Sequence, residues 1–275
     1  MSLEMPTVVP LPVWVDTTLK SPEPDWILPG FVPAQGLVII AGRPKIAKKS
    51  WLAYAMAMSA ASGMETGPFK PSKRTNVLFL SREGAPGPIA ERFLLLEPGL
   101  GIPLHKCDNV YFAQNGAFFL DEPAHVKWLL TLIHSLNIGM VVIDTLARSS
   151  RGDENSARDM SAVMRGVEKI RDAGAATILV HHLSKTKIQG VGGYPDPDAG
   201  LRGSSALAGA YDSIVSLQQL EIDGESEMWA IVGGKYQDFI GYKLDWKIDG
   251  TSAQLICGEA EPLPQMDSPQ QNVRF

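Results

Sequence analysis

Cysteine is nearly missing: Cys107 and Cys257 are the only two among 275 residues. Two thiols cannot build a metal cluster and do not suggest a disulfide framework. Histidine is scarce too, at five, and no Cys or Asp stands at ligand spacing from it, which argues against a zinc site. No stretch approaches the eighteen consecutive apolar residues of a membrane span, so no membrane association is expected. The first residues carry Glu4, Asp16 and Glu23 among several prolines. With no basic segment leading into an apolar core, no export signal is expected, and a reduced, cytoplasmic setting is. Basic excess is also lacking. The net charge of −5 means that the whole chain is not an evident polyanion binder, so nucleic-acid contact would need a local basic patch or a surface built from several subunits.

What remains is an ordinary globular composition, 45% hydrophobic and 20% charged, at a length that suits one large α/β domain. Residues 1–25 are Pro-rich and without periodicity, and read as an arm. Residues 26–258 read as the folded domain. The tail 259–275 has three prolines, little apolar content and the character of a frayed end. Inside the domain, short apolar runs alternate with helical segments. Strands are expected at 37–41, 76–80, 110–113, 140–144 and 176–180. Helices are expected at 50–62, 88–96, 122–136, 157–173 and 203–210. Three later strands, at 212–219, 227–235 and 242–248, alternate and read as antiparallel. The expected fold is α/β: a doubly wound, mostly parallel β-sheet flanked by helices, with an antiparallel C-terminal extension.

Ligands of such sheets bind at the carboxyl ends of the strands, and the distinctive residues gather there. Met140-Val141-Val142-Ile143 ends in Asp144, a carboxylate able to orient Mg²⁺. Phe79-Leu80-Ser81-Arg82 ends in Glu83, placed to act as a general base toward water. The strand at 176–180 runs into His181-His182, of which one should face the site and the other the packing.

After the strand at 37–41 comes Gly42-Arg43-Pro44-Lys45-Ile46-Ala47-Lys48-Lys49-Ser50. A phosphate loop aims successive N–H groups and a helix start at phosphate oxygens, with one Lys on the phosphates and a following hydroxyl on Mg²⁺. The usual spacing, GxxxxGK[ST], is not met. If Gly42 fills the first position, Lys48 is the phosphate lysine and Lys49 stands where a hydroxyl belongs. If Lys49-Ser50 fill the last two, Arg43 and Lys48 replace the glycines. The second register keeps both the amine and the hydroxyl, and it calls for φ > 0 at Lys48, at a cost of about 1–2 kcal/mol, unless the extra residue bulges the loop. Lys45 and Lys48 add positive charge to the same loop. A solvated Lys-rich turn that binds nothing is the competing account of this stretch. Arg202, in Gly200-Leu201-Arg202-Gly203-Ser204-Ser205, follows a Gly- and Pro-rich loop and suits a phosphate, on its own or a neighbouring subunit.

Together these segments resemble the RecA-like ATPases of the hexameric plasmid replicative helicase (RepA) type, over roughly residues 26 to 240. The resemblance rests on Ile39-Ile40-Ala41-Gly42-Arg43-Pro44-Lys45 with Lys49-Ser50-Trp51-Leu52-Ala53, Val77-Leu78-Phe79-Leu80 before Glu83, and Val141-Val142-Ile143-Asp144-Thr145-Leu146-Ala147-Arg148. It continues through Gly152-Asp153-Glu154-Asn155, Val180-His181-His182-Leu183-Ser184-Lys185 and Arg202-Gly203-Ser204-Ser205-Ala206-Leu207. It implies ATP and Mg²⁺ as cofactors, with Lys49 on phosphate and Ser50 and Asp144 on the metal. Glu83 becomes the catalytic glutamate, His182 with His181 the strand-end sensor, Arg202 the arginine finger, and Lys235 a trailing basic residue near an intersubunit site. Single-stranded DNA as substrate and a homo-oligomer, a hexameric ring, follow by the same resemblance. The departure is the loop, one residue longer and without the glycine before the lysine. It keeps open a second reading: a non-catalytic or weakly nucleotide-binding assembly or regulatory module.

Overall fold

A strand apolar at every position must be covered on both faces, and the central strands are. The computed structural model describes residues 8–19, 25–82, 84–113, 116–154, 156–183, 194–198, 201 and 205–266. In chain order these form α1 (Leu11–Leu19), β1 (Trp26–Leu28), β2 (Val32–Pro33), β3 (Leu37–Gly42), α2 (Lys49–Ser62), β4 (Asn76–Ser81), α3 (Pro86–Leu100), β5 (Val110–Phe112) and α4 (Pro123–Ser135). Then follow β6 (Ile138–Asp144), α5 (Ala157–Asp172), β7 (Ala176–His182), α6 (Ser205–Ala208), β8 (Ser213–Ile222), β9 (Glu225–Gly234), β10 (Gln237–Ile248) and β11 (Ala253–Cys257).

Nine strands make one sheet in the order β11-β10-β9-β8-β3-β7-β6-β4-β5. From β8 through β5 all pairings are parallel, and β8 to β11 continue as antiparallel neighbours. The expected doubly wound sheet with an antiparallel extension is the observed fold. The chain leaves β3 for β4, returns through β6 and β7, and crosses to β8 on the other side, so β3 stands at the switch point where such sheets bind ligands.

One face packs on α2 and α3, where Leu52, Met56, Phe79, Phe93 and Val142 share a core. α2 is buried nearly all round, because the β1–β2 hairpin and α3 close over it. Its alanines at 53, 55, 57, 60 and 61 let backbones approach. The other face packs on α4 and α5, with Leu80, Leu129, Ile143, Val163 and Ile170. The buried stripe of α5 (Met160, Val163, Val167, Ile170) recurs at helical spacing. Its start is capped by the Ser156 hydroxyl, which accepts from Asp159 N–H at 3.3 Å.

Some expectations change. The arm holds the helix α1, which carries Pro12 in its first turn, where the missing N–H costs nothing. β11 was not foreseen; its five residues bury Ala253 and Leu255 on alternate positions. The end expected to fray is held over residues 259–266. Glu261 and Gly241 exchange backbone hydrogen bonds at 2.8 and 2.9 Å, and Leu263 and Met266 pack on Leu220, Trp229 and Ile231. Pro262 and Pro264 thus lie in a segment docked on the sheet, and residues 267–275 lie outside the described residues. No described helix is long and apolar enough to cross a membrane.

Candidate nucleotide site

Register brings the distant segments to one edge. Gly42 pairs with His182 on β7 and with Leu217 on β8. Asp144 pairs with Val180 and with Ser81 at the end of β4. The carboxyl ends of β3, β7, β6 and β4 thus lie side by side, as the sequence implied.

The loop after β3 folds back on its strand. Ala47 is buried against Gly42, where an added Cβ would lie 2.6 Å from the Ala47 Cβ and 3.1 Å from that of Leu217. Gly42 is therefore required for closure, whichever loop position it is assigned. Ile46 N–H donates to Pro44 O at 2.8 Å, and Lys45 and Lys48 both take left-handed conformations, at φ 66° and 50°. The positive φ expected of Lys48 is present. It stands as N-cap of α2, which begins at Lys49. The Lys49 ammonium, 6% exposed, donates to Gly42 O at 2.9 Å and Arg43 O at 3.3 Å. This amine at the mouth of a helix amino terminus favours the register with Lys49-Ser50 last.

A cavity of about 360 Å³ opens there, lined by Lys45, Lys48, Lys49, Ser50, Trp51, Gly84, Arg92, Thr145, Val180 and His182. Asp144 lies beside it, 1% exposed. The Tyr54 hydroxyl, one helical turn beyond Ser50 on α2, donates to Asp144 Oδ2 at 3.4 Å. Burial and then the Asp144 carboxylate push the Tyr54 hydroxyl up to about 12, against the opposing pull of Arg92. Tyr54 thus stays protonated and donating at any ordinary pH. The Arg92 guanidinium lies 5.7 Å from the centre of the Trp51 ring, whose own neighbour is Trp246 at 6.0 Å.

This donor set fits a polyphosphate with a divalent cation. Three lysines, an arginine and a helix start supply the positive field, and Ser50 with Asp144 supplies hard oxygen ligands of the kind Mg²⁺ takes. Of the two histidines, His182 lines the cavity and His181 is buried in the sheet, the division of roles the sequence suggested. Glu83, Ser184 and Arg202 lie outside the described residues, as does most of the Gly- and Pro-rich loop that precedes Arg202.

Lys235, expected near an intersubunit site, lies away from this cavity in its own subunit. It lies at the other end of β3, some five residue steps or about 17 Å from Gly42. There Lys235 Nζ contacts Asp212 Oδ1 at 2.9 Å, and Asp212 Oδ2 accepts the Leu37 N–H at 2.8 Å. A basic residue just after a strand looks the same from sequence whichever sheet edge it reaches. Tyr54, Arg92 and Thr145 were not singled out in advance. The i, i+4 relation of Ser50 and Tyr54 on one helix face could have found Tyr54. Arg92, a charged residue on a half-exposed helix, carries no such signal.

Comparison with known proteins agrees with this geometry. No curated protein sequence matches the chain. Among solved structures, the KaiC-like protein of the hyperthermophilic archaeon Pyrococcus horikoshii shares the fold with a TM-score of 0.56. The match has 14% identity and covers 84% of this chain and 93% of that one. The AAA domain family matches residues 5–187, well over half of the sequence. With a RecA-like sheet and a lysine-bearing loop at its switch point, the chain belongs to the AAA domain family as a nucleotide-binding P-loop ATPase domain.

Proposed function

We propose that the protein is an Mg-ATP-dependent motor that acts on single-stranded DNA as a homo-oligomer, in the manner of RepA-type replicative helicases. The observation that carries this reading is the convergence of Lys49, Ser50, Arg92 and His182 on one cavity with the Asp144 carboxylate beside it. Mg²⁺ held by Ser50 and Asp144 would neutralise phosphate charge. Lys49 exchanges loop carbonyls for phosphate oxygens, a trade of neutral for anionic acceptors that strengthens each hydrogen bond. Tyr54 holds the Asp144 carboxylate in place. Arg92, fixed over Trp51, offers a second cation to the terminal phosphate. His182 would sense that phosphate from the end of β7. Glu83, next to the cavity-lining Gly84, is assigned the proton from the attacking water, and Arg202 completes a neighbouring subunit's site. The RepA resemblance is what supports the DNA substrate, the hexameric ring and a place for Lys235 at the subunit boundary.

One observation favours the second reading, a weakly binding assembly module: the Lys49 ammonium is already buried and satisfied by its own loop. Hydrolysis of ATP measured with and without single-stranded DNA separates the two. Turnover stimulated by DNA is expected of the motor. Absence of turnover in both conditions assigns the chain to the module.

A further inference from the structure

A second cavity, of about 230 Å³, lies on the opposite face of the sheet, at the carboxyl ends of β4 and β5. Its walls are Leu80, Phe118 and Trp128, the last 45% exposed, with the two aromatic rings 6.1 Å apart. Two polar side chains converge on it, and Ser81 borders it through its backbone, because the Leu80 side chain takes this face of β4 and the next side chain lies on the other face with Asp144. His125 Nδ1 accepts the Phe119 N–H at 3.1 Å, which leaves the proton of the neutral ring on Nε2 as a donor. Arg82 contributes a guanidinium at the wall. At the rim, Arg82 and Arg151 lie 5.0 and 4.8 Å from the centre of the Phe119 ring, and Arg82 donates to the carbonyl of Arg148 at 3.1 Å. Two acids temper these two guanidinium groups: Glu122 pairs with Arg151 at 3.0 Å, and Asp121 accepts the Arg151 and Gly152 N–H groups.

We infer that this cavity receives a base of single-stranded nucleic acid. Flat apolar walls with a hydrogen-bonding back wall suit a heteroaromatic ring, because every base offers both a π-face and a polar edge. Two guanidinium groups tempered by two carboxylates carry too little positive charge for a triphosphate, but Arg82 can meet the single charge that each nucleotide of a strand carries. The site is distinct from the ATP cavity, from which the sheet and about 14 Å of strand spacing between β3 and β4 divide it. It still touches that cavity's chemistry. Ser81 is the strand partner of Asp144, Arg82 N–H donates to Asp144 O at 2.8 Å, and Glu83 follows directly. A seated base therefore presses on the strand end that carries the acids of the ATP site. This coupling rests on the motor reading; binding of the base itself does not.

The test uses fluorescein-labelled oligothymidylate and an abasic oligonucleotide of the same length, with mant-ATP binding measured in parallel on the parent protein. The parent is expected to prefer the base-bearing strand. Trp128→Ala should weaken that binding by about 5- to 100-fold while binding of the abasic strand holds. Trp128→Phe, which keeps a ring, should retain most of the affinity. Arg151→Gln should weaken both strands alike and lower the salt dependence by about one charge. Equal affinity of parent and Trp128→Ala, no preference for bases, or no strand binding at all overturns the inference. So does a change of oligomeric state in Trp128→Ala without a change in strand affinity, since the cavity then belongs to a protein interface. A parent that binds mant-ATP but no strand sinks this inference alone. Trp128-dependent strand binding without mant-ATP binding sinks the motor reading alone.

Discussion

Two lysines bracket β3, one at each end, and they are held in opposite ways. Lys49 is buried, with its ammonium on two backbone carbonyls. Lys235 is half exposed, with its ammonium on the carboxylate of the buried Asp212, which also holds the first N–H of the strand. A cation that donates to neutral carbonyls strengthens those bonds by moving onto an anion, so it can be exchanged onto a phosphate. A cation already on a carboxylate gains little from exchange and serves as a clamp. One strand therefore has a reactive end and a structural end. The sequence alone, with a lysine near each, does not distinguish them.

The largest test of that difference is Lys49→Ala. Loss of a buried charge facing phosphate should cost about 2–5 kcal/mol of ATP affinity, roughly thirty- to several-thousandfold. The melting temperature should move far less than the affinity, because the bonds to Gly42 O and Arg43 O join the side chain to its own loop. Titration with mant-ATP beside a thermal melt checks both halves. Unchanged affinity would place the phosphate lysine at 48 and restore the other loop register.

Next in size is an alkaline effect at the reactive end. Tyr54 titrates near 12 when folded, against an ordinary value of 10. Below pH 10 both folded and unfolded chains keep the proton, and the contribution is intact. Between pH 10 and 12 only the unfolded chain ionises, so stability falls by about 2–3 kcal/mol as pH rises through the folded value. Tyr54→Phe should lose that part of the alkaline slope, read as urea midpoints at pH 9 and pH 11.5. Other raised groups, Tyr211, Tyr242 and the two cysteines, titrate alike in both proteins and cancel. Parallel slopes would mean that the Tyr54 hydroxyl is not buried on Asp144.

At the structural end, Lys235→Ala should cost about 1 kcal/mol, since the pair is half exposed and Asp212 keeps the Leu37 N–H. The expected readout is a lower melting point. A variant that melts like the parent but turns over ATP more slowly would instead give Lys235 the intersubunit role that the RepA resemblance implies.

The ends of β3 also measure how far sequence reading reaches. β3, β4, β6 and β7 were legible because strands buried on both faces need unbroken apolar runs, and a run that stops at Asp144 or His181 marks its own carboxyl end. The positive φ of Lys48 was legible because the loop had a residue where glycine belonged. Arg92 and the Phe118–Trp128 cavity were not, since they arise only when α3 and α4 settle on opposite faces of the sheet. The sheet edge that Lys235 occupies was not legible, because position after a strand does not say which way the strand runs. α1, β11 and the docked tail failed for a different reason: proline and short polar alternation look alike in a loop and in a weakly packed edge.

The smallest expected effect is the most informative about the loop. Lys48 occupies the left-handed region at φ 50° and ψ 34°, with no side-chain cap hydrogen bond. Lys48→Gly removes a backbone cost of about 1–2 kcal/mol, but it returns about 0.5–1 kcal/mol because glycine frees the unfolded chain. Lys48 makes no side-chain cap bond that could be lost, and glycine is among the favoured N-cap residues, so the helix start is not weakened. The net gain should be at most about 1 kcal/mol, or a melting point raised by about 2–4 °C for a domain of this size. Affinity for ATP then reports on the charge alone. If it stays level or rises, Lys48 is a strained substitute for glycine and Lys49 carries the phosphate contact. If it falls while the melting point climbs, the ammonium at 48 faces the phosphates, and the longer loop has exchanged a favourable backbone for an additional cation.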